Sequence, residues 1–548
     1  MDDRIIKKLL IPSVIVLVIS VIFVYEFKNL LDYLVFKEKK MLIIGILSSP
    51  ENFKQRISLR ETWLKLISGL SASSFFIIGN EICHVPVIDR PDPYTCINQP
   101  FSLASDVTEE TEFITMKISN NSKIHYNPIP FYTGFGFYVR SQINITKLGI
   151  LREFLVRFKC NVTVNLFSAY NSNLLATVTF NKRQLRNTKS LILLQSITPV
   201  TLEEFSEVNL KIEAENIDSI LLPNCQNALW ENGPNVITIN NLWTTTGLIP
   251  DSFKKKSCTY VLMAYRVLDT DKIKTLVENK KKRLETWYLQ NKRLSVELLN
   301  ESKFFNDIIF VNTIDVYRNL TKKMIEFYKS VIKSVYFHYI LKTDDDSFID
   351  LLRVYHQLEI IRKELIIEMR PRYNKNVQFS YSSGLNTPKF WWWSYFREFW
   401  KVQRAGKWRE SQYRSASYPS FPCGGGYVIN KEIANYIANN AKYLNQFQGE
   451  DVSLGIWLSS LSVTHYRNPN INTFKSTNKL QKTIQLKYRD YHSVSQYKTK
   501  SSEEFIPDVC QWICDNEQNI SLPSCNKVQL TVNEMYNVWN KYRQKGFI

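Results

Sequence analysis

A mostly apolar run, Val335 to Leu341, leads through Lys342 and Thr343 straight into three aspartates, Asp344, Asp345 and Asp346. Such a run reads as a buried strand, and in open α/β sheets ligands bind beyond the carboxyl ends of strands. Three adjacent carboxylates repel one another unless a cation joins them. Hard divalent ions such as Mn²⁺ or Mg²⁺ take oxygen ligands and bridge phosphates. The run therefore suits a metal–diphosphate site at the end of a parallel strand. Taken alone, it also suits a solvated acidic turn.

The texture around it is that of an α/β domain. Met41 to Leu47 is a continuous apolar run, as a strand buried on both faces requires. Residues 51–67 carry helical spacing, and Phe75 to Ile78 is a second short apolar run. Asp307 to Val311 reads as a strand, with helices expected over 271–300 and 318–334. Between these halves the texture changes. Phe135–Val139, Val162–Phe167, Leu175–Phe180, Val208–Ile212 and Val236–Ile239 are short strand-like runs broken by Asn, Ser, Thr and Gly, the spacing of an antiparallel β-sandwich. The expected organisation is an α/β domain over 41–96 and 251–548, interrupted by a β-sandwich insert over 97–250.

Residues Leu9 to Tyr25 carry no charge and follow Arg4, Lys7 and Lys8. The run is long enough to span a membrane with its basic side in the cytosol. No small-residue cleavage site follows, so an uncleaved anchor is favoured over a signal peptide. The expectation is a cytosolic tail at 1–8, a transmembrane helix at 9–25, a stem at 26–40 and a lumenal remainder, in a single-pass type II protein of the endoplasmic reticulum or Golgi. All nine cysteines lie after the span, which allows disulfides. Glycosylation sequons stand at Asn120, Asn144, Asn161, Asn300, Asn319 and Asn519. The net charge of +19 would suit nucleic acid, but a lumenal protein meets none, and no Lys/Arg run reads as a binding arm. Anionic nucleotide-sugars or acidic glycans suit a basic lumenal surface better.

Three further features bear on chemistry. Glu450-Asp451 precedes a helix-like stretch, Ser453 to Leu461; acids there either cap the helix or supply a general base. Gly424-Gly425-Gly426 lets a ligand approach the backbone or makes a flexible turn. Trp391, Trp392, Trp393, Trp400 and Trp408 either form core or a wall for sugar rings.

These features occur in the order found in a known family. The chain resembles glycosyltransferase family 31, the β-1,3-galactosyl- and N-acetylglucosaminyl-transferases. The resemblance is carried by Arg56-x-x-x-Arg60-Glu61-Thr62-Trp63, by Phe305 to Ile309, and by Asp315 to Thr321. It continues through Lys342 to Asp346, Lys407-Trp408, Tyr418 to Tyr427 and Glu450 to Val452. Within the family it is nearest to a type with a similar insert and a stretch like Cys83 to Cys96.

The resemblance implies an A-type, Rossmann-like glycosyltransferase fold with UDP-N-acetylgalactosamine as donor. It also implies Mn²⁺ as cofactor and an acceptor ending in N-acetylglucosamine, as on O-mannosyl glycans. The expected reaction is inverting, with Asp451 as base and Glu450 in reserve. Asp346 and Asp344 would hold the metal. Arg60, the backbone from Gly45 to Ser48, Asp344, Asp345, Gly424 and Gly425 would meet the nucleotide. One departure from the family is that no His follows His492 to serve as a further ligand. Cys83 and Cys96 are expected to pair; one of Cys510, Cys514 and Cys525 is open to pairing with Cys423, the rival there being a C-x-x-x-C zinc site. Rival readings are another donor within the family, or a lectin-like lumenal protein whose site has decayed.

Overall fold

The computed structural model describes residues 39–369, 390–466 and 531–544, with short internal gaps, the longest at 249–260. The tail, the anchor at 9–25, most of the stem, Cys423 and Cys510 to Cys525 lie outside the described residues. Among the described residues no helix is long and apolar enough to cross a membrane.

A seven-stranded sheet forms the centre. Its strands are β1 (Lys39–Leu47), β2 (Ala72–Ile82), β3 (Ile308–Asp315), β4 (Tyr336–Asp344), β5 (Phe390–Trp393), β6 (Gly426–Asn430) and β7 (Val463–Tyr466). The spatial order is β3-β2-β1-β4-β6-β5-β7. The first four run parallel, while β6 is antiparallel to β4 and β5. Along β1 the side chains alternate between two cores. Leu42, Ile44 and Ile46 face one, with Leu59, Trp63, Val354 and Leu358. Ile43 and Leu47 face the other, with Phe327, Ile340, Ile429 and Ile437. Both faces are thus covered by helices, which is why β1 is apolar from Met41 to Leu47.

Helix α1 (Phe53–Glu61) covers one face, and α3 (Leu320–Ser334) and α4 (Lys431–Asn440) the other. In α3, Met324, Phe327, Tyr328 and Val331 are buried at helical spacing. The helix expected over 51–67 ends at Glu61, and Trp63–Gly69 continues as a 3₁₀ segment. The Thr62 hydroxyl bonds back to Ser58 O at 2.6 Å. The helix expected over 271–300 is two: Thr270–Glu278 and the longer α2, Lys280–Phe305. Asp269 caps the first, accepting from Lys272 N at 2.8 Å.

The insert consists of antiparallel sheets, as its alternating runs predict. A six-stranded sheet includes Tyr132–Val139, Glu207–Ala214, Val162–Ser168 and Ile237–Thr244, and a four-stranded sheet includes Ile143–Leu151 and Ile192–Leu202. One apolar cluster, with Phe135, Ile145, Val164 and Leu210, is shared between them. The boundary differs from expectation. Val261–Val267, read as a return to α/β texture, pairs antiparallel with Ile143–Leu151 and belongs to the insert. Ile273 of the next helix packs into the same core. An apolar run fits a buried strand of either sheet type, so the sequence could not assign it.

Cys83 and Cys96 are bonded, closing a loop at the insert junction. From this loop Asp89 accepts from Arg283 of α2 at 2.7 and 3.0 Å.

Candidate active site

The carboxyl ends of β1 and β4 lie side by side, with Leu47 in register with Asp344. Beyond them the loop Ser48–Pro50 is held from several directions. Arg56 of α1 is fully buried. Its Nη1 donates to Ser48 Oγ at 2.9 Å and to Ser49 O at 2.6 Å, and its Nη2 donates to Pro50 O at 3.1 Å. Lys323 of α3 donates to Ser48 O at 2.6 Å and pairs with Asp315 at 2.7 Å. Asp345 faces this loop: its N–H donates to Leu47 O at 3.1 Å, and its Oδ2 accepts from Asn52 at 2.9 Å. Trp63 steadies the other side of the acidic turn, donating through Nε1 to Ser347 O at 3.2 Å.

Lys342 ties the motifs together. It is 1% exposed, and its Nζ lies 2.7 Å from Asp344 Oδ1 and 2.6 Å from Glu450 Oε1. It also donates to Gly424 O at 2.5 Å. Burial opposes its charge, but the two carboxylates outweigh that and hold it above the ordinary lysine range. One ammonium thus joins the acidic turn, the glycine loop and the Glu450-Asp451 pair. A lysine within an apolar strand, just before carboxylates, is the sequence signal for it.

Asp451 sits at the start of α5 (Glu450–Leu458). Glu450 does not cap this helix, since its carboxylate is drawn to Lys342; the N-cap is Gly449 at φ +92°. The glycines beside Asp451 have a structural reason. A Cβ on Gly424 would lie 2.9 Å from Asp451 Oδ2, and one on Gly449 2.7 Å from Oδ1. The space read as ligand access at Gly424 is filled by this carboxylate. Gly425 O accepts from Thr343 Oγ1 at 3.0 Å. Burial, and then the neighbouring Glu450 charge, push the Asp451 carboxyl well above the usual range.

Two other expected contacts fall elsewhere. Arg60 forks onto Asp307 at 2.8 Å through Nε and Nη2 and onto Glu301 at 2.7 Å through Nη1. Its guanidinium lies 3.8 Å from the Phe305 ring centroid. All three nitrogens serve this junction of α1, α2 and β3. Gly45 lies within β1, opposite Lys342 and Phe75. A Cβ there would come 2.6 Å from Phe327, so helix packing, not a ligand, requires the glycine.

Tyr317 was missed as a site residue, although its motif was recognised. Burial raises its hydroxyl, with Glu450, Asp451 and Asp344 adding to the effect. Lys407 lies 5.3 Å from its ring and 5.1 Å from that of the half-exposed Trp408. Trp392 and Trp393 are core, whereas Trp400 and Trp408 are half-exposed.

Among the described residues no group of three or more His, Cys, Asp or Glu side chains is arranged to hold a metal ion. The donors present nevertheless suit a hard divalent ion. Burial, with the Asp344 and Asp345 charges, pushes the Asp346 carboxyl up to about 7. A cation close by favours the ionised form of such an acid. Such an ion would complete its shell with diphosphate oxygens and water.

A family model described as galactosyltransferase matches residues 288–469. The UDP-GalNAc:beta-1,3-N-acetylgalactosaminyltransferase 2 of Mus musculus is 30% identical over 437 residues, 78% of this chain and 81% of its own. The Xenopus laevis protein of the same name is 28% identical over 437 residues, 78% of this chain and 83% of its own. Beta-1,3-galactosyltransferase 6 of Mus musculus is 29% identical over 160 residues, 29% of this chain and 42% of its own. The chain therefore belongs to the galactosyltransferase family, glycosyltransferase family 31, and is a glycosyltransferase using a UDP-sugar donor.

Proposed function

We propose that this enzyme transfers N-acetylgalactosamine from UDP-N-acetylgalactosamine, in β-1,3 linkage, to a terminal N-acetylglucosamine on an O-mannosyl glycan of a glycoprotein. The donor follows the names of the relatives that span most of the chain. The observation that carries the chemistry is the meeting of Asp344, Gly424 and Glu450 on Lys342, which sets a diphosphate-type acidic turn beside a raised carboxyl group.

In this reading Asp451 takes the proton of the acceptor hydroxyl. The hydroxyl oxygen forms a bond to the anomeric carbon from the face opposite UDP. The bond from that carbon to the diphosphate oxygen breaks, and its electron pair leaves with UDP. Glu450 is occupied by Lys342 and serves to place its neighbour. Asp346 and Asp344 would hold Mn²⁺ or Mg²⁺, which when bound offsets charge on the departing diphosphate. Ser48 and Asp345 lie on the nucleotide side, and Tyr317, Lys407 and Trp408 on the acceptor side. The enzyme is anchored by residues 9–25 with its catalytic part in the endoplasmic reticulum or Golgi lumen. The insert's two antiparallel sheets on one core support a β-sandwich.

A panel of UDP-sugars with N-acetylglucosamine-terminated acceptors tests the donor. Asp346→Asn tests the metal. In the presence of UDP, calorimetric titration with Mn²⁺ is expected to give binding in the parent enzyme and none in the variant, with transfer lost. Parent-like Mn²⁺ binding and turnover in Asp346→Asn would remove Asp346 from the metal site.

A further inference from the structure

We propose that the insert positions the acceptor side of the site, with Glu207 holding the loop Gly406–Glu410 and, through that loop, Asp451. The kinetic part of this inference rests on the transferase reading above.

Glu207 opens the insert strand Glu207–Ala214, opposite Tyr138. It is 5% exposed, and its carboxylate accepts from the backbone N–H of Gly406. A buried charge is costly unless paired and hydrogen-bonded. Here Arg409 and Arg318 offset it, against the burial that pushes the carboxyl up. Arg318 follows Tyr317 and donates to Arg409 O at 2.6 Å and to Gly406 O at 3.2 Å. Arg409 in turn reaches Asp92 of the disulfide loop at 3.5 Å.

The far end of the loop reaches the base. Glu410 is 2% exposed. Its Oε1 accepts from the backbone N–H groups of Gln412 and Tyr413, and its Oε2 from that of Gln448 at 2.6 Å. Gln448 precedes Gly449, against which the Asp451 carboxylate packs. Lys407 and Trp408 lie between the two anchored ends. A shift of the loop therefore moves the acceptor wall and the base together, while the Ser48 loop and the acidic turn, held by Arg56, Lys323 and Trp63, stay in place. Misplacement on the order of 1 Å can cost about 10²-fold in rate, so the anchoring bears on acceptor use before donor binding.

The test uses the full chain, UDP-N-acetylgalactosamine, Mn²⁺ and para-nitrophenyl β-N-acetylglucosaminide. Glu207→Ala should raise the acceptor KM and lower kcat with acceptor, together by about tenfold or more, within that range, with UDP binding unchanged. Amide exchange at Gly406 and Gln448 should quicken. Glu207→Gln keeps an oxygen for Gly406 N–H and should restore most of the acceptor KM. Thr238→Val removes a different bond across the same junction, to Pro91 O at 3.1 Å. It should lower the melting temperature without moving the acceptor KM. If Glu207→Ala does not fold, Glu207→Asp replaces it and should raise the acceptor KM more than Glu207→Gln. Parent-like KM and exchange in Glu207→Ala or Glu207→Asp, an equal loss of UDP binding and transfer, or an equal KM change in Thr238→Val would each overturn the inference. If exchange responds but the parent enzyme transfers no sugar, the transferase reading fails and the structural link stands.

Discussion

Asp451→Asn is expected to slow transfer by about 10²–10⁴-fold, the usual contribution of a general base, while UDP binding survives. The side chain sits between Gly424 and Gly449, with no room for a Cβ on either, so the near-isosteric amide keeps the packing and loses the base. Glu450→Gln should act differently, weakening the contact to Lys342 at 2.6 Å and lowering stability more than rate. The pH dependence has a definite sign. A base works deprotonated, and burial with the Glu450 charge raises the Asp451 carboxyl. Activity should therefore fall on acidification well above the ordinary carboxylate range, and that limb should be missing from the residual activity of Asp451→Asn. A variant with parent-like kcat, or a Glu450→Gln variant that alone loses its rate, would reverse the two roles.

The second large effect is on stability. Lys342→Met should destabilise the fold by about 3–5 kcal/mol, the cost of leaving a buried charge without its partner. Glu450 is 7% exposed and would lose its cation, Asp344 would lose its contact at 2.7 Å, and Gly424 O would lose its donor. Adding Glu450→Gln to Lys342→Met should recover part of the loss, because the carboxylate left without a partner is then neutral. Urea unfolding of the two single variants and the double variant measures the coupling. A loss below about 1 kcal/mol in Lys342→Met, as for an exposed ion pair, would mean that the lysine does not join the motifs energetically.

Much of this architecture was legible in the sequence, and for physical reasons. From Met41 to Leu47 β1 is buried on both faces and has no polar positions to obscure it; the insert strands face one shared core and so alternate. The acidic turn stands out as a candidate because three adjacent carboxylates at a strand end repel one another unless a cation joins them. What could not be read was partnership across the fold. Arg56 and Arg60 look alike in the motif and both meet Glu301, yet Arg56 also shapes the Ser48 loop while Arg60 reaches Asp307. Gly45 and Gly424 both look like ligand-facing glycines, yet one meets Phe327 and the other Asp451. Lys342, Tyr317 and Glu410 acquire their places through contacts far along the chain, and a hydrophobic pattern carries no record of those.

The most direct measurement is the structure of the product. The purified enzyme is incubated with UDP-N-acetylgalactosamine, Mn²⁺ and an N-acetylglucosamine-terminated O-mannosyl glycopeptide, and the new linkage is read by NMR. The account predicts a single added N-acetylgalactosamine in β configuration on O3 of the terminal sugar, absent with Asp451→Asn. An α-configured product, or UDP release with no transfer to any acceptor, would contradict it.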